Sequence, residues 1–202
     1  MVNTNPLSRK GIKWFGKPFS GIGKSLVIGI DQSYSGFGIT FMDPKSDNYL
    51  TVVFKGEGTG VDRLLDIREV LLALIKTHAA YAIDIKVAME GYAFGSQMAN
   101  MAGELGGMVK VVLHDQFKRS NMHGMYPYII PPTVLKKYVT GKGTGVQKNQ
   151  ILLSVYKKWG VEFTNDNAAD SYALAHLAAG KCDLAYEKEI YHNIQDPKYR
   201  EA

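Results

Sequence analysis

LVIGIDQSYSGFGIT, residues 26–40, is an apolar run that ends in one carboxylate, Asp31, turns through a short polar segment holding Gly36, and resumes as a second apolar run. This pattern predicts two strands joined by a hairpin, with Asp31 at the point where the first strand leaves the core. A carboxylate at the end of a buried strand needs a partner, because an isolated charge avoids low dielectric. A divalent cation or a metal-bound phosphate is one such partner. The plain alternative is that Asp31 caps the turn, since Asp, Ser and Gly are ordinary turn residues.

Upstream, residues 1–24 contain Pro6, Gly11, Gly16, Pro18, Gly21 and Gly23 without apolar periodicity, which predicts an irregular arm. The arm carries Arg9, Lys10, Lys13, Lys17 and Lys24 and no acid, so it accounts for the whole net charge of +5. Downstream, strands at 25–31, 36–42 and 48–55 open the body as a three-strand meander, and VDRLLDIREVLLALIKTH, 61–78, is an amphipathic helix. Residues 83–90, IDIKVAME, form a second buried strand that ends in an acid, Glu90. A helix over 97–113 follows, in which Gly103, Gly106 and Gly107 allow close approach of another backbone, within the subunit or across an interface. YPYIIP, 126–131, supplies a further strand, and Pro131 and Pro132 open a short helix bearing Lys136 and Lys137.

The loop TGKGTGV, 140–146, leads into the helix KNQILLSVYKKW, stopped by Gly160. It does not match the G-x-x-x-x-G-K-[ST] phosphate loop, so no nucleotide cofactor is expected. The last helix, TNDNAADSYALAHLAAG at 164–180, places Asn167 and Asp170 three apart on one face, beside Asp166. Asn167 as an N-cap, with acids in the first turn, is the plain reading of that end. A meander followed by alternating helices and strands predicts an α/β domain built on a mixed five-stranded sheet flanked by helices. The expected division is a basic irregular arm at 1–24, the domain at 25–182 and a tail at 183–202.

Length and composition bound the function. A chain of 202 residues, 46% apolar and 21% charged, suits one globular domain, and no run approaches the roughly 18 apolar residues of a membrane span. No signal segment is apparent, and one cysteine, Cys182, makes no internal disulfide, so a reducing, intracellular setting is expected. His78, His114, His123, His176 and His192 show no zinc-site spacing. From Gln116 to Val161 the chain carries Lys118, Arg119, Lys136, Lys137, Lys142, Lys148, Lys157 and Lys158 and no acid. A one-signed stretch of that length suits a polyanion. Acids on element ends suit hard divalent cations such as Mg²⁺ or Mn²⁺, and a cation pair about 3.5–4 Å apart serves in-line phosphodiester displacement. The acids and the basic stretch are segregated, as such chemistry requires.

Four segments, IGIDQSYSGFGIT, VAMEGYAFG, LKKYVTGKGTGVQK and DNAADSYALAHLA, in this order and spacing, resemble the RuvC-type Holliday-junction resolvases of the ribonuclease H-like superfamily. The resemblance spans roughly residues 25–180 and implies a ribonuclease H-like fold. It further implies Asp31, Glu90 and Asp170 as metal-binding catalytic acids with two Mg²⁺ ions (or Mn²⁺) per site, and Lys136 and Lys148 as phosphate contacts. A homodimer cutting opposed strands of a four-way junction is implied as well. Lys137, Lys142, Lys118 and Arg119 extend the expected DNA surface. Two departures stand out. Asn167 occupies a position where many such resolvases have another acid, leaving an amide oxygen as its only ligand atom, with Asp166 alongside. Position 93 is Ala where the family places a wedge aromatic, so Tyr92 or Phe94 is expected to stack in the junction. Nucleases acting on flaps or forks, and a junction-binding module with weakened catalysis, are the readings kept beside resolution. An actin-like phosphotransferase needs two duplicated domains, which this length does not supply.

Overall fold

The computed structural model describes residues 5–17, 20–21, 23–91, 99–118 and 126–201. Six strands, β1 (Lys13–Gly16), β2 (Ser25–Asp31), β3 (Phe37–Met42), β4 (Tyr49–Phe54), β5 (Asp84–Glu90) and β6 (Tyr128–Ile130), form one sheet in the order β1-β4-β3-β2-β5-β6. β1 to β4 pair antiparallel, as does the β2–β3 hairpin, while β2, β5 and β6 run parallel. The helices are α1 (Gly60–His78), α2 (Ala99–Phe117), α3 (Pro132–Thr140), α4 (Lys148–Trp159), α5 (Asp166–Ala178), α6 (Ala185–Asn193) and α7 (Lys198–Glu201). Among the described residues no helix is long and apolar enough to cross a membrane.

β2 is continuous in apolar character because both of its faces are covered. Successive side chains alternate, so Leu26, Ile28 and Ile30 enter a core with Ile67, Leu71 and Leu74 of α1 and Leu105 and Val109 of α2. Val27 points the other way, into a second core built from α3, α4 and α5. The same period puts Gly29 and Asp31 on the α5 face. α5 lies there because it is made of small residues: a Cβ on Gly29 would strike the Ser171 carbonyl and the Ala175 amide, and one on Gly38 would strike the Asn167 carbonyl. Thr40 Oγ1, bonded at 2.7 Å to Thr51 Oγ1 and at 3.0 Å to Ser171 Oγ, supplies the polar seam between sheet and helix.

Three sequence expectations are corrected. The sheet has six strands rather than five, because residues 13–16 of the supposedly irregular arm add β1 to the edge of β4. KWFG is too short to show alternation, and what holds it is tertiary: Phe15 packs edge-on against Phe163, ring centroids 5.5 Å apart. The arm is also tied down by Arg9, whose Nη1 donates to Asp66 Oδ1 and Oδ2 at 2.6 and 2.7 Å. α2 runs on to Phe117, past the expected end at 113. Residues beyond 182 do not trail away: Ile190 and Ile194 are buried in the second core, and buried Glu187 pairs with Lys158 at 2.8 Å.

The contact at Gly29 yields a direct prediction. Gly29→Ala forces α5 away from β2 and lowers stability by about 3 kcal/mol, as overpacking of a rigid core does. Denaturant unfolding of the variant checks this.

Candidate active site

The register of the sheet assembles the acids. Ile30 of β2 stands opposite Met89 of β5, so the next residue on each parallel strand, Asp31 and Glu90, lie side by side at the sheet's end. Met89 belongs to the α1 side and Ala88 to the α5 side, which sets Glu90 on the same face as Asp31. α5 brings Asp170 over this face. Asn165, rather than Asn167, caps α5, accepting from the Ala168 amide at 3.1 Å. The turn after Asp31 is clamped by Gln32, whose Nε2 donates to the Glu90 carbonyl at 2.9 Å.

The electrostatics follow from that crowding. Asp31 is 5% exposed, and burial, then the charges of Glu90 and Asp170, hold its carboxyl well above the ordinary range; its side chain is hydrogen-bonded to that of Glu90. Glu90 is raised by burial, against the opposing influence of that bond and of Lys136 and Lys148. Asp170 is pushed up to about 7 by burial and by the charges of Glu90 and Asp166. Asp170 Oδ1 is buried with no hydrogen-bond partner. Burial and mutual repulsion thus raise all three acids despite the nearby Lys136 and Lys148, and Asp31 and Glu90 are hydrogen-bonded side chain to side chain. Lys148, exposed at the start of α4, is ion-paired with Asp166 at the start of α5.

Asp31, Glu90, Asp170, Lys136 and Lys148 are thus brought together. Lys137 lies one residue beyond Lys136, about 100° further round α3, and is exposed, as is Lys142 in the following loop. Lys118 stands at the end of α2, where it pairs with Asp115 at 3.3 Å. The amide of Asn167 rests against Gly36 in the turn after Asp31. Tyr92, Phe94 and Arg119 lie outside the described residues. Sequence reasoning missed Gln32, whose role depends on the neighbouring parallel strand and has no local signal.

Among the described residues no group of three or more His, Cys, Asp or Glu side chains forms a ready-made metal cage. The donor chemistry nonetheless fits a hard cation: the orphaned buried oxygen of Asp170 and the hydrogen-bonded carboxyls of Asp31 and Glu90 are hard oxygen donors of the kind that suit Mg²⁺ or Mn²⁺.

A mixed sheet with a three-strand meander, parallel continuation and helices on both faces, carrying acids at the ends of β2 and β5 and on α5, is the ribonuclease H-like fold. Among solved structures the chain is similar to RuvC of Thermus thermophilus, at 20% identity and a TM-score of 0.56, over 87% of this chain and 97% of that one. T. thermophilus RuvC in complex with a Holliday junction substrate gives 16% identity and a TM-score of 0.56, over 86% and 96% of the two chains. A yeast mitochondrial Holliday junction resolvase gives 16% identity and a TM-score of 0.47, over 91% of this chain and 84% of that one. At these identities the likeness establishes the fold, of the RuvC type. No protein-family model and no curated protein matches the sequence.

The raised acids make stability depend on pH with a definite sign. Between about pH 4, where an unfolded carboxyl titrates, and about 7, where Asp170 does, the folded protein binds more protons than the unfolded chain. Their contribution is therefore fully present at low pH and is lost as pH rises through that window. In chelator, wild type is expected to lose stability relative to Asp170→Asn between about pH 4 and 7, at up to about 1.4 kcal/mol per pH unit. Thermal melts of both proteins across that range check the sign, and added Mn²⁺ should raise the wild-type midpoint at pH 8 and leave the variant's unchanged.

Proposed function

We propose that the protein is a divalent-metal-dependent, structure-selective DNA endonuclease that resolves four-way junctions and related branched DNA by paired nicks. The observation that carries this reading is the convergence of Asp31, Glu90 and Asp170 on one face, flanked by Lys136 and Lys148. Asp31, Glu90 and Asp170 would hold two Mg²⁺ ions, with the Asn167 amide oxygen and Asp166 at the edge of the set. Bound there, the ions supply Lewis-acid charge for in-line attack of water on a phosphodiester and for the leaving 3′ oxygen.

The protein's own groups do the rest. Burial keeps the acids short of competing water, and Gln32 fixes the spacing of Asp31 and Glu90 through the Glu90 carbonyl. Lys148 is exposed and paired with Asp166, so a DNA phosphate can exchange into that pair while Lys136 neutralises the strand from α3. Lys137 and Lys142 extend the cationic surface away from the acids.

Paired nicks need two sites, and α2 supports a two-fold partner. Among the described residues no atom lies within 4 Å of a Cβ built on Gly103 or Gly107, so their small size is not explained by packing against those residues. Val111, four residues on, is 61% exposed. A second copy of α2 against this stripe would bury them.

Cleavage of an end-labelled four-way junction in Mg²⁺ or Mn²⁺, beside a duplex, a flap and a fork of the same sequence, tests the activity. Symmetric nicking is expected, with Asp31→Asn reducing the rate by at least about 100-fold. Folded Asp31→Asn protein cutting as fast as wild type would sink the assignment, and preferential cutting of flaps or forks would move the substrate while keeping the site. Gly107→Glu is expected to yield monomers by light scattering and to uncouple the two nicks.

A further inference from the structure

Beside the acids, on the opposite side from Lys136 and Lys148, a groove of about 340 Å³ opens between the β2–β3 turn, Lys55 and the starts of α1 and α2. Its walls include Ser33, Tyr34, Ser35, Lys55, Arg63 and Leu105. A second groove of about 380 Å³ continues from it, sharing Lys55 and Arg63 and reaching Arg9 and Lys10 of the N-terminal arm. The two make one path leading from the turn after Asp31 to the arm.

The parts of this path are held in place. Arg63 is oriented by its Nε donating to the Gly58 carbonyl at 2.9 Å. Arg9 is spent on Asp66, and its Nη2 also donates to the Lys55 carbonyl at 2.8 Å, so it ties the arm and the loop after β4 together and sets Lys10 beside Lys55. Tyr34 is partly buried against the first core, which fixes its ring at the groove wall beside the apolar Leu105. Exposed Glu57 lines the second groove, 4.0 Å from Arg9 Nη1, and exposed Glu104 lies close enough to raise the Tyr34 phenol, after burial. Cations, hydroxyls, an aromatic ring and an apolar wall in one groove match a nucleotide: phosphate on Lys55 and Arg63, base against Tyr34. Tyr34 lies three residues from Asp31, at most about 11 Å of chain. A strand held at the acids reaches it within roughly three nucleotides at the 3.4 Å rise of a duplex strand.

We propose that this groove is a single-strand subsite, in which an unstacked nucleotide of DNA next to the cleavage point seats on Tyr34 with its backbone on Lys55, Arg63 and Lys10. The arm thereby belongs to the substrate path. This rests on the nuclease reading for the strand's origin, while the binding itself can be measured without cleavage.

The test is fluorescence anisotropy of a short labelled oligothymidylate in chelator, with salt varied. Tyr34→Leu is expected to weaken binding by about 5- to 100-fold with the salt slope unchanged. Lys55→Gln and Arg63→Gln should each weaken it and lower the slope by about 0.7, with Lys55→Arg restoring both. Lys76→Gln, at the far end of α1, controls for loss of any one charge. Equal affinity of wild type and all the groove variants overturns the subsite, even if the junction is cut in an Asp31-dependent manner. Groove-dependent binding by a protein that cuts no branched DNA leaves the subsite standing and overturns the nuclease reading.

Discussion

The close approach of α5 to the hairpin of β2 and β3 is the constraint on which the rest of the structure depends. Two glycines, Gly29 and Gly38, remove the side chains that would hold the helix off, and an alanine-rich helix with Ser171 and Ala175 at the contact packs against them. The consequence is chemical as well as steric. With the backbones in contact, Asp170 comes down on the sheet face where the alternation of β2 and β5 has already placed Asp31 and Glu90. A bulkier seam would preserve a hydrophobic core and lose the site.

The crowding of like charges is itself informative. A structure that needed only stability would not gather three carboxyls at the end of a buried sheet, because each raises the others and burial raises them all. The cost is tolerable while the acids keep protons and becomes a driving force for cation binding when they lose them. Perturbed acids of this kind mark functional sites more often than structural ones. The cations of the protein are placed accordingly, Lys136 and Lys148 on one side of the acids, Lys55 and Arg63 on the other.

Much of this was legible in the sequence, for reasons that particular residues make plain. The ends of β2 and β5 were readable because in each a buried apolar run, Leu26–Ile30 or Val87–Met89, stops at a carboxylate, Asp31 or Glu90. α4 was readable because Lys148–Trp159 is bounded by Gly160, which takes the left-handed conformation at φ 70°. β1 was not, since Lys13–Gly16 is held by β4 and Phe163, far away in sequence. The packing of Ile190 and Ile194 was hidden for the same reason, and so was Gln32, whose partner lies 58 residues on. Asn167 reads locally as a cap, but Asn165 does that work, leaving the Asn167 amide against the turn beside the site.

The central claim is that Asp31, Glu90 and Asp170 form one site for divalent cations. Anomalous diffraction from a crystal of the protein soaked in Mn²⁺ at pH 8 tests it most directly. The account predicts anomalous peaks among these three carboxylates, absent from the Asp170→Asn protein treated in the same way. A fully ordered site with the acids still bonded to one another and no peak between them would contradict it.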